Sequence, residues 1–311
     1  VRGGRRPVML GPDGGSMNQD GDLTRTVVVG VDGSEASTDA VRWAASVASW
    51  RRARLLVVHV FRPVGVNTRL EASEGADTPR DVEHILTFAA SAAHGGPDGP
   101  PVRTRRVRGR PVPALLAETQ RAELLVLGAS GREGFPGMLV GSTAVAVLSR
   151  AVCPVAVIRP RPGQDRFPEE GPVLVGIDGS PMSERALGIA FEYADHWRTS
   201  LVAVHSWNDV EYDTSGENGA DESYAERGER LLAERLGGWR QRYPDVSVRR
   251  VVGRDRPRRE LLRGSEAARL VVLGSRGRGG FRGLLLGSTS QALIEHAHCP
   301  VLVVRPRQEE R

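Results

Sequence analysis

Short apolar runs rich in valine and leucine recur along the chain, separated by glycine, proline and charged residues. In the first half they cover residues 26–31, 55–60, 102–107, 124–127 and 155–158. In the second half they cover 173–177, 201–205, 246–252, 270–273 and 301–304. Most of these runs are nearly continuous rather than alternating, the pattern of strands buried on both faces of a parallel sheet. Between them apolar residues return every three or four positions. Ala40, Trp43, Ala44 and Val47 form one such stripe, and Ala186, Ile189, Ala190 and Tyr193 form its equal. That period is one face of a helix, and Ser34 or Ser37 is placed to cap the first. Strand–helix alternation of this kind predicts an α/β fold, with a five-stranded doubly wound parallel sheet in each half and helices on both faces.

The two halves are copies. Asp32-Gly33-Ser34 returns as Asp178-Gly179-Ser180, an offset of 146 residues, and His59/His205, Gly128/Gly274, Gly141/Gly287 and Cys153/Cys299 share that offset. So long a period marks a duplicated domain rather than a solenoid. The expected organisation is a disordered tail at 1–23, domain one at 24–160, a linker at 161–171, domain two at 172–306 and a tail at 307–311. Gly109 and Gly253 stand 144 residues apart, which reads as a two-residue lengthening of a loop in the second half.

A length of 311 residues suits two domains, and 40% hydrophobic with 26% charged residues is ordinary globular usage. No apolar run approaches the roughly 18 residues that span a bilayer. Two cysteines in apolar contexts fit a reducing compartment, so the cytoplasm is the expected location. All 43 basic residues are arginine. The absence of lysine excludes Schiff-base chemistry and the lysine of a P-loop.

The most specific chemistry is Gly128-x-x-Gly131-x9-Gly141-Ser142, repeated as Gly274-x-x-Gly277-x9-Gly287-Ser288. Each copy leaves a buried strand and ends at a helix start. Glycine lets the main chain approach an anion closely, and a helix N-terminus adds about half a positive charge. Ser142 and Ser288 are placed to cap their helices and to offer a hydroxyl to phosphate. Asp32 and Asp178 close the first strands, so they share a crevice with the glycine loops at the carboxyl ends of the strands. His59 and His205 read as histidines satisfied by nearby carbonyls. His296-Ala-His298-Cys299 lacks a counterpart in the first half and does not read as a metal site. The arginine-rich stretches 103–110 and 249–259 come without aromatic stacking residues, so nucleic acid is a disfavoured partner.

The run from Gly274 to Ser288, the segment Cys299-Pro-Val-Leu-Val-Val-Arg305-Pro306 and the openings Val-Gly-Val-Asp32-Gly-Ser and Val-Gly-Ile-Asp178-Gly-Ser resemble the universal stress protein family, in its tandem form. The resemblance spans about 24–306. It implies Rossmann-like domains of strand order 3-2-1-4-5 and ATP at two sites per chain, with Mg²⁺ left open. Gly128, Gly131, Gly141, Ser142, Gly274, Gly277, Gly287 and Ser288 would cradle phosphates. Asp32 and Asp178 would face the nucleoside, and the backbones of Val60 and Ser206 would read adenine. It further implies a stress-response regulator whose occupancy tunes conformation or partner binding, with homo-oligomers, an unidentified protein partner and no membrane. Residues 155–158 would pair with 301–304. A slow ATPase and an arginine-mediated nucleic-acid binder are the alternative readings.

Overall fold

The computed structural model describes residues 25–62, 77–94, 99–131, 139–206, 220–254, 256–277 and 286–306. Both expected tails lie outside this set. The first half runs β1 (Thr26–Val31), α1 (Glu35–Trp50), β2 (Arg54–Phe61), α2 (Pro79–Ala93), β3 (Val102–Arg108), α3 (Pro111–Thr119), β4 (Leu124–Gly128), α4 (Ser142–Arg150) and β5 (Val155–Ile158). The second runs β6 (Val173–Gly176), α5 (Pro181–Trp197), β7 (Leu201–Ser206), α6 (Ala220–Arg242), β8 (Val248–Gly253), α7 (Pro257–Ser265), β9 (Leu270–Gly274), α8 (Ser288–His296) and β10 (Val301–Val304). Residues 161–171 contain no helix or strand.

The strands form one sheet in the order β3-β2-β1-β4-β5-β10-β9-β6-β7-β8. Within each half neighbours are parallel, and the halves join where β5 meets β10 antiparallel, Val301 opposite Val157. Because strand side chains alternate faces, apolar runs feed two layers. Val27 and Val29 enter one layer with Trp43 and Val47 of α1, whereas Val28 enters the other with Leu115 of α3 and Leu148 of α4.

Register corrects one sequence reading. Val60 lies opposite Val107, and Ser206 lies opposite Gly253, so Gly253 takes the place of Val107 and is not the counterpart of Gly109. Helices α3 and α7 open at Pro111 and Pro257, again 146 apart, and the loop is not lengthened. The expected strand at 246–252 begins instead at Val248, because the Val246 N–H closes a turn onto the Tyr243 carbonyl at 3.2 Å.

The halves are locked by an exchange of arginines. Arg159, just past β5, donates to the carbonyls of Glu295 at 3.0 Å and Ala297 at 3.2 Å, and also to that of Ile294. Arg305, just past β10, donates to Ser149 at 2.8 Å and Ala151 at 3.1 Å. Each guanidinium thus satisfies the orphan carbonyls, and faces the negative dipole end, of the other half's last helix. Both are buried, at 7% and 2% exposure, and burial pulls Arg159 down to about 10, still cationic at neutral pH. On the opposite face α1 meets α5. Trp43 stacks on Tyr193 and Trp50 on His196, while Arg51 bridges Glu123 at 2.7 Å and Glu192 at 3.2 Å.

Removing one exchanged arginine leaves buried carbonyls without donors. Arg305→Ala is expected to cost about 3 kcal/mol and to lower Tm by roughly 6 °C or more. Exposed Arg103→Ala should stay within about 0.5 kcal/mol. Thermal unfolding of both variants checks this, and equal melting temperatures would contradict it.

Candidate functional site

β1 ends on a turn that aims a carboxylate. Gly33 takes a positive φ of 87°, which brings the chain back toward Asp32. Asp32 Oδ1 accepts from the Ser34 N–H at 3.0 Å and from the Ser34 hydroxyl at 2.6 Å. Ser34 in turn caps α1, its oxygen accepting from the Ser37 N–H at 3.1 Å. The second half repeats this turn. Gly179 has φ 78°, Asp178 Oδ1 accepts from the Ser180 N–H at 2.9 Å, and Ser180 caps α5.

The other carboxylate oxygen reaches the loop that leaves β4. A Cβ on Gly131 would lie 2.8 Å from Asp32 Oδ2, and one on Gly277 would come closer still to Asp178 Oδ2. Gly128 is pinned from below, since a Cβ there would stand 2.7 Å from the Ala36 backbone. Gly274 meets Met182 in the same manner, 2.9 Å from its Cβ. These glycines are bare because first-turn backbone and carboxylate already fill the space a side chain needs.

The loop returns to its start. The Gly141 N–H donates to the Ala129 carbonyl at 2.7 Å, and the Gly287 N–H donates to that of Ser275 at 2.9 Å. Here the expected caps are corrected. Gly141 and Gly287 are the N-cap residues, and Ser142 and Ser288 are the first residues of α4 and α8, with no side-chain capping hydrogen bond at either helix. A glycine cap supplies no side-chain acceptor, so the first-turn N–H groups are donors that suit an anion.

Asp32, Val60, Gly128, Gly131, Gly141 and Ser142 all line one cavity of about 400 Å³. That volume falls in the range of about 300–1,000 Å³ typical of small-molecule sites. Asp178, Ser206, Gly274, Gly277, Gly287 and Ser288 hold the matching places around β6, β7, β9 and α8.

The cavity wall also contains residues the sequence did not single out together. His59 Nδ1 bonds the Val31 carbonyl at 2.8 Å, and its Nε2 lies 3.4 Å from Asp77 Oδ2, both side chains being buried. His205 bonds Ile177 in the same way at 2.7 Å. Arg62 lines the cavity too. No motif spacing links Asp77 to His59, since the pairing is made by the fold. Both cysteines are buried, and burial pushes each thiol up to about 12, so neither is a nucleophile at neutral pH. Among the described residues no group of three or more His, Cys, Asp or Glu is arranged to hold a metal ion.

The family model described as the universal stress protein family matches residues 24–159 and again 171–305. Universal stress protein Rv2623 of Mycobacterium tuberculosis is 40% identical over 298 residues, covering 92% of this chain and 98% of that protein. Universal stress protein Rv2005c of the same organism is 43% identical over 286 residues, covering 90% and 96%. Among solved structures, a universal stress protein from Archaeoglobus fulgidus superposes with a TM-score of 0.63 at 19% identity, covering 91% of this chain and 98% of that one.

The glycine contacts predict a contrast in stability. Gly128→Ala drives a methyl into the Ala36 backbone and is expected to cost about 1–3 kcal/mol. Gly141→Ala meets its nearest neighbour at 3.7 Å, an ordinary contact, and should cost less than about 1 kcal/mol, the N-cap preference for glycine over alanine. Denaturant titrations of the two variants measure the difference, and a Gly128→Ala chain as stable as Gly141→Ala would contradict this geometry.

Proposed function

The chain belongs to the universal stress protein family, and from that premise we propose that it is a nucleotide-binding regulator that takes ATP in the crevice of its first half and a second ATP in the matching crevice of its second half. The observation that carries this reading is the cavity in which Gly128, Gly131 and Gly141 bring bare backbone to the start of an uncapped helix. Phosphate oxygens suit such a place, because main-chain N–H groups and the positive helix end meet there and no side chain caps that helix. The base lies toward β2, where the main chain of Val60 presents its polar groups, and Asp32 faces the nucleoside between the two. Any Mg²⁺ would come with the triphosphate.

Regulation rather than turnover follows from where the titratable groups lie. The buried His59 and Asp77 stand beside β2, at the base end and away from the glycine loop where a transferring phosphoryl group would lie. Occupancy instead bears on α1 and α4, whose N-termini touch the crevice and whose far ends enter the contact between halves. A protein partner reads that state, in the cytoplasm, as part of a stress response. Homo-oligomers use a surface other than the sheet edges. β3 and β8 carry exposed arginines at 103, 105, 106, 108, 249 and 250, and like charge opposes edge-to-edge pairing. These arginines sit at opposite ends of the sheet, not on one stripe, which argues against a nucleic-acid interface.

Calorimetry with ATP is expected to show uptake by the native chain and loss of the first-half site in Gly131→Val, whose side chain would collide with Asp32. Phosphate release should stay below about one per minute, far under ordinary enzyme turnover. Faster release, sensitive to Gly131→Val, would establish the ATPase reading in place of this one.

A further inference from the structure

His59 fixes its own tautomer. Its Nδ1 lies 2.8 Å from the Val31 carbonyl, and a carbonyl only accepts, so Nδ1 carries a hydrogen. Nε2 then holds either a second hydrogen or a bare lone pair. It lies 3.4 Å from Asp77 Oδ2 and makes no hydrogen bond among the described residues. Both side chains are buried, and both line the first-half cavity. A lone pair and a carboxylate oxygen repel at this distance, in a site where charges are little screened. One proton between them turns the same contact into a charge-balanced pair. Asp77 directly precedes Thr78, the N-cap of α2, so that proton ties the start of α2 to the end of β2.

The other charges around the pair are few. Asp32 follows β1 and Arg62 follows β2, both lining the cavity, and Arg106 lies opposite His59 on β3. Asp39 of α1 is taken up by Arg42 at 2.8 Å and Asp81 of α2 by the Thr78 capping box, while Glu35, Arg80, Glu83 and His84 are exposed. His205 makes the same bond to the Ile177 carbonyl at 2.7 Å, but the α6 residue against it is Gly228, where a Cβ would lie 3.1 Å from His205 Cδ2. Among the described residues, the carboxylate partner belongs to the first half alone.

Resting on the reading of the first crevice as a nucleotide site, we propose that the His59–Asp77 pair makes that crevice a proton sensor, which takes ATP while the pair holds its proton and loosens its grip as the proton leaves. Two effects act in the same sense. With the proton the pair is neutral overall, whereas without it the wall carries one more negative charge toward an anionic ligand. The bared lone pair also pushes Asp77 away, and with it the wall that bounds the base end. The coupling is reciprocal, so bound ATP holds the proton on the pair. Histidine is the side chain that changes charge near neutral pH, which makes the proton a second input to the first half.

The test is calorimetry with ATP on the full chain carrying Gly277→Val, whose side chain would collide with Asp178 and leave uptake to the first crevice. Between about pH 6 and about pH 8.5 the dissociation constant is expected to rise at least about fivefold more in this chain than when Asp77→Asn is added. The amide donates to Nε2 without titrating, and the nucleotide's own phosphate protons are common to both chains. His59→Gln should flatten the profile likewise. Ring ¹⁵N spectra of the native chain follow the proton itself, and at the midpoint of the His59 titration ATP should move its Nε2 signal toward the protonated form. A His59 signal that ATP leaves unmoved, or ATP uptake with one pH profile in all three chains, overturns the proton linkage alone. No ATP uptake at any pH would overturn the nucleotide reading and this proposal with it.

Discussion

A carboxylate pressed against a bare Cα is the contact on which both crevices depend. Asp32 Oδ2 reaches Gly131, and Asp178 Oδ2 reaches Gly277, so that the end of a first strand and the loop after a fourth strand touch without a side chain between them. The turn through Gly33 and the Ser34 cap fix the carboxylate, and the sheet fixes the distance, because β1 and β4 are paired neighbours, Val29 opposite Val126. Order reversal at this point leaves the groove outside the strand ends uncovered by any crossover helix. The glycine loop then lines that groove with main chain. A methyl at Gly131 would need the aspartate to move, and with it the start of α1.

The same helices that open at the crevices close the interface between halves. α1 runs from the Asp32 turn to Trp50, which stacks on His196 of α5, and α5 runs from the Asp178 turn. α4 and α8 begin at the glycine caps and end at carbonyls held by the other half's arginine. Both ends of each crevice are therefore mechanically continuous with the pseudo-twofold contact. The antiparallel β5–β10 pair matters for the same reason, since it brings Arg159 and Arg305 to the opposite helices. A ligand that shifts α4 or α1 by a fraction of an ångström bears on a buried, well-packed junction that does not deform continuously.

Local signals in the sequence were enough for the layers. Runs such as 124–127 and 270–273 are apolar throughout, which only a doubly covered strand requires, and they lie where β4 and β9 stand. The glycine spacing was legible too, because Gly128 and Gly131 each answer a close approach that recurs unchanged in the second copy. Long-range pairings were not legible. Arg159 and Arg305, each followed by proline, look like surface residues, and only the antiparallel junction shows that they cap helices from the other half. Asp77 meets His59 across a connection whose course no periodicity predicts. Ser142 looked like a cap because serine usually is one, but the preceding glycine takes that position. Gly253 matched Gly109 by letter, whereas strand register matches it to Val107.

Main-chain amides hold the triphosphate, and amide hydrogen exchange read residue by residue by NMR tests that grip most directly. On adding ATP, the N–H groups of Ser130 and Gly131 and of Ser142 to Ala144 are expected to slow markedly, with little change in β3. Nucleotide uptake that leaves these amides exchanging at their free rate, or no uptake at millimolar ATP, would contradict it.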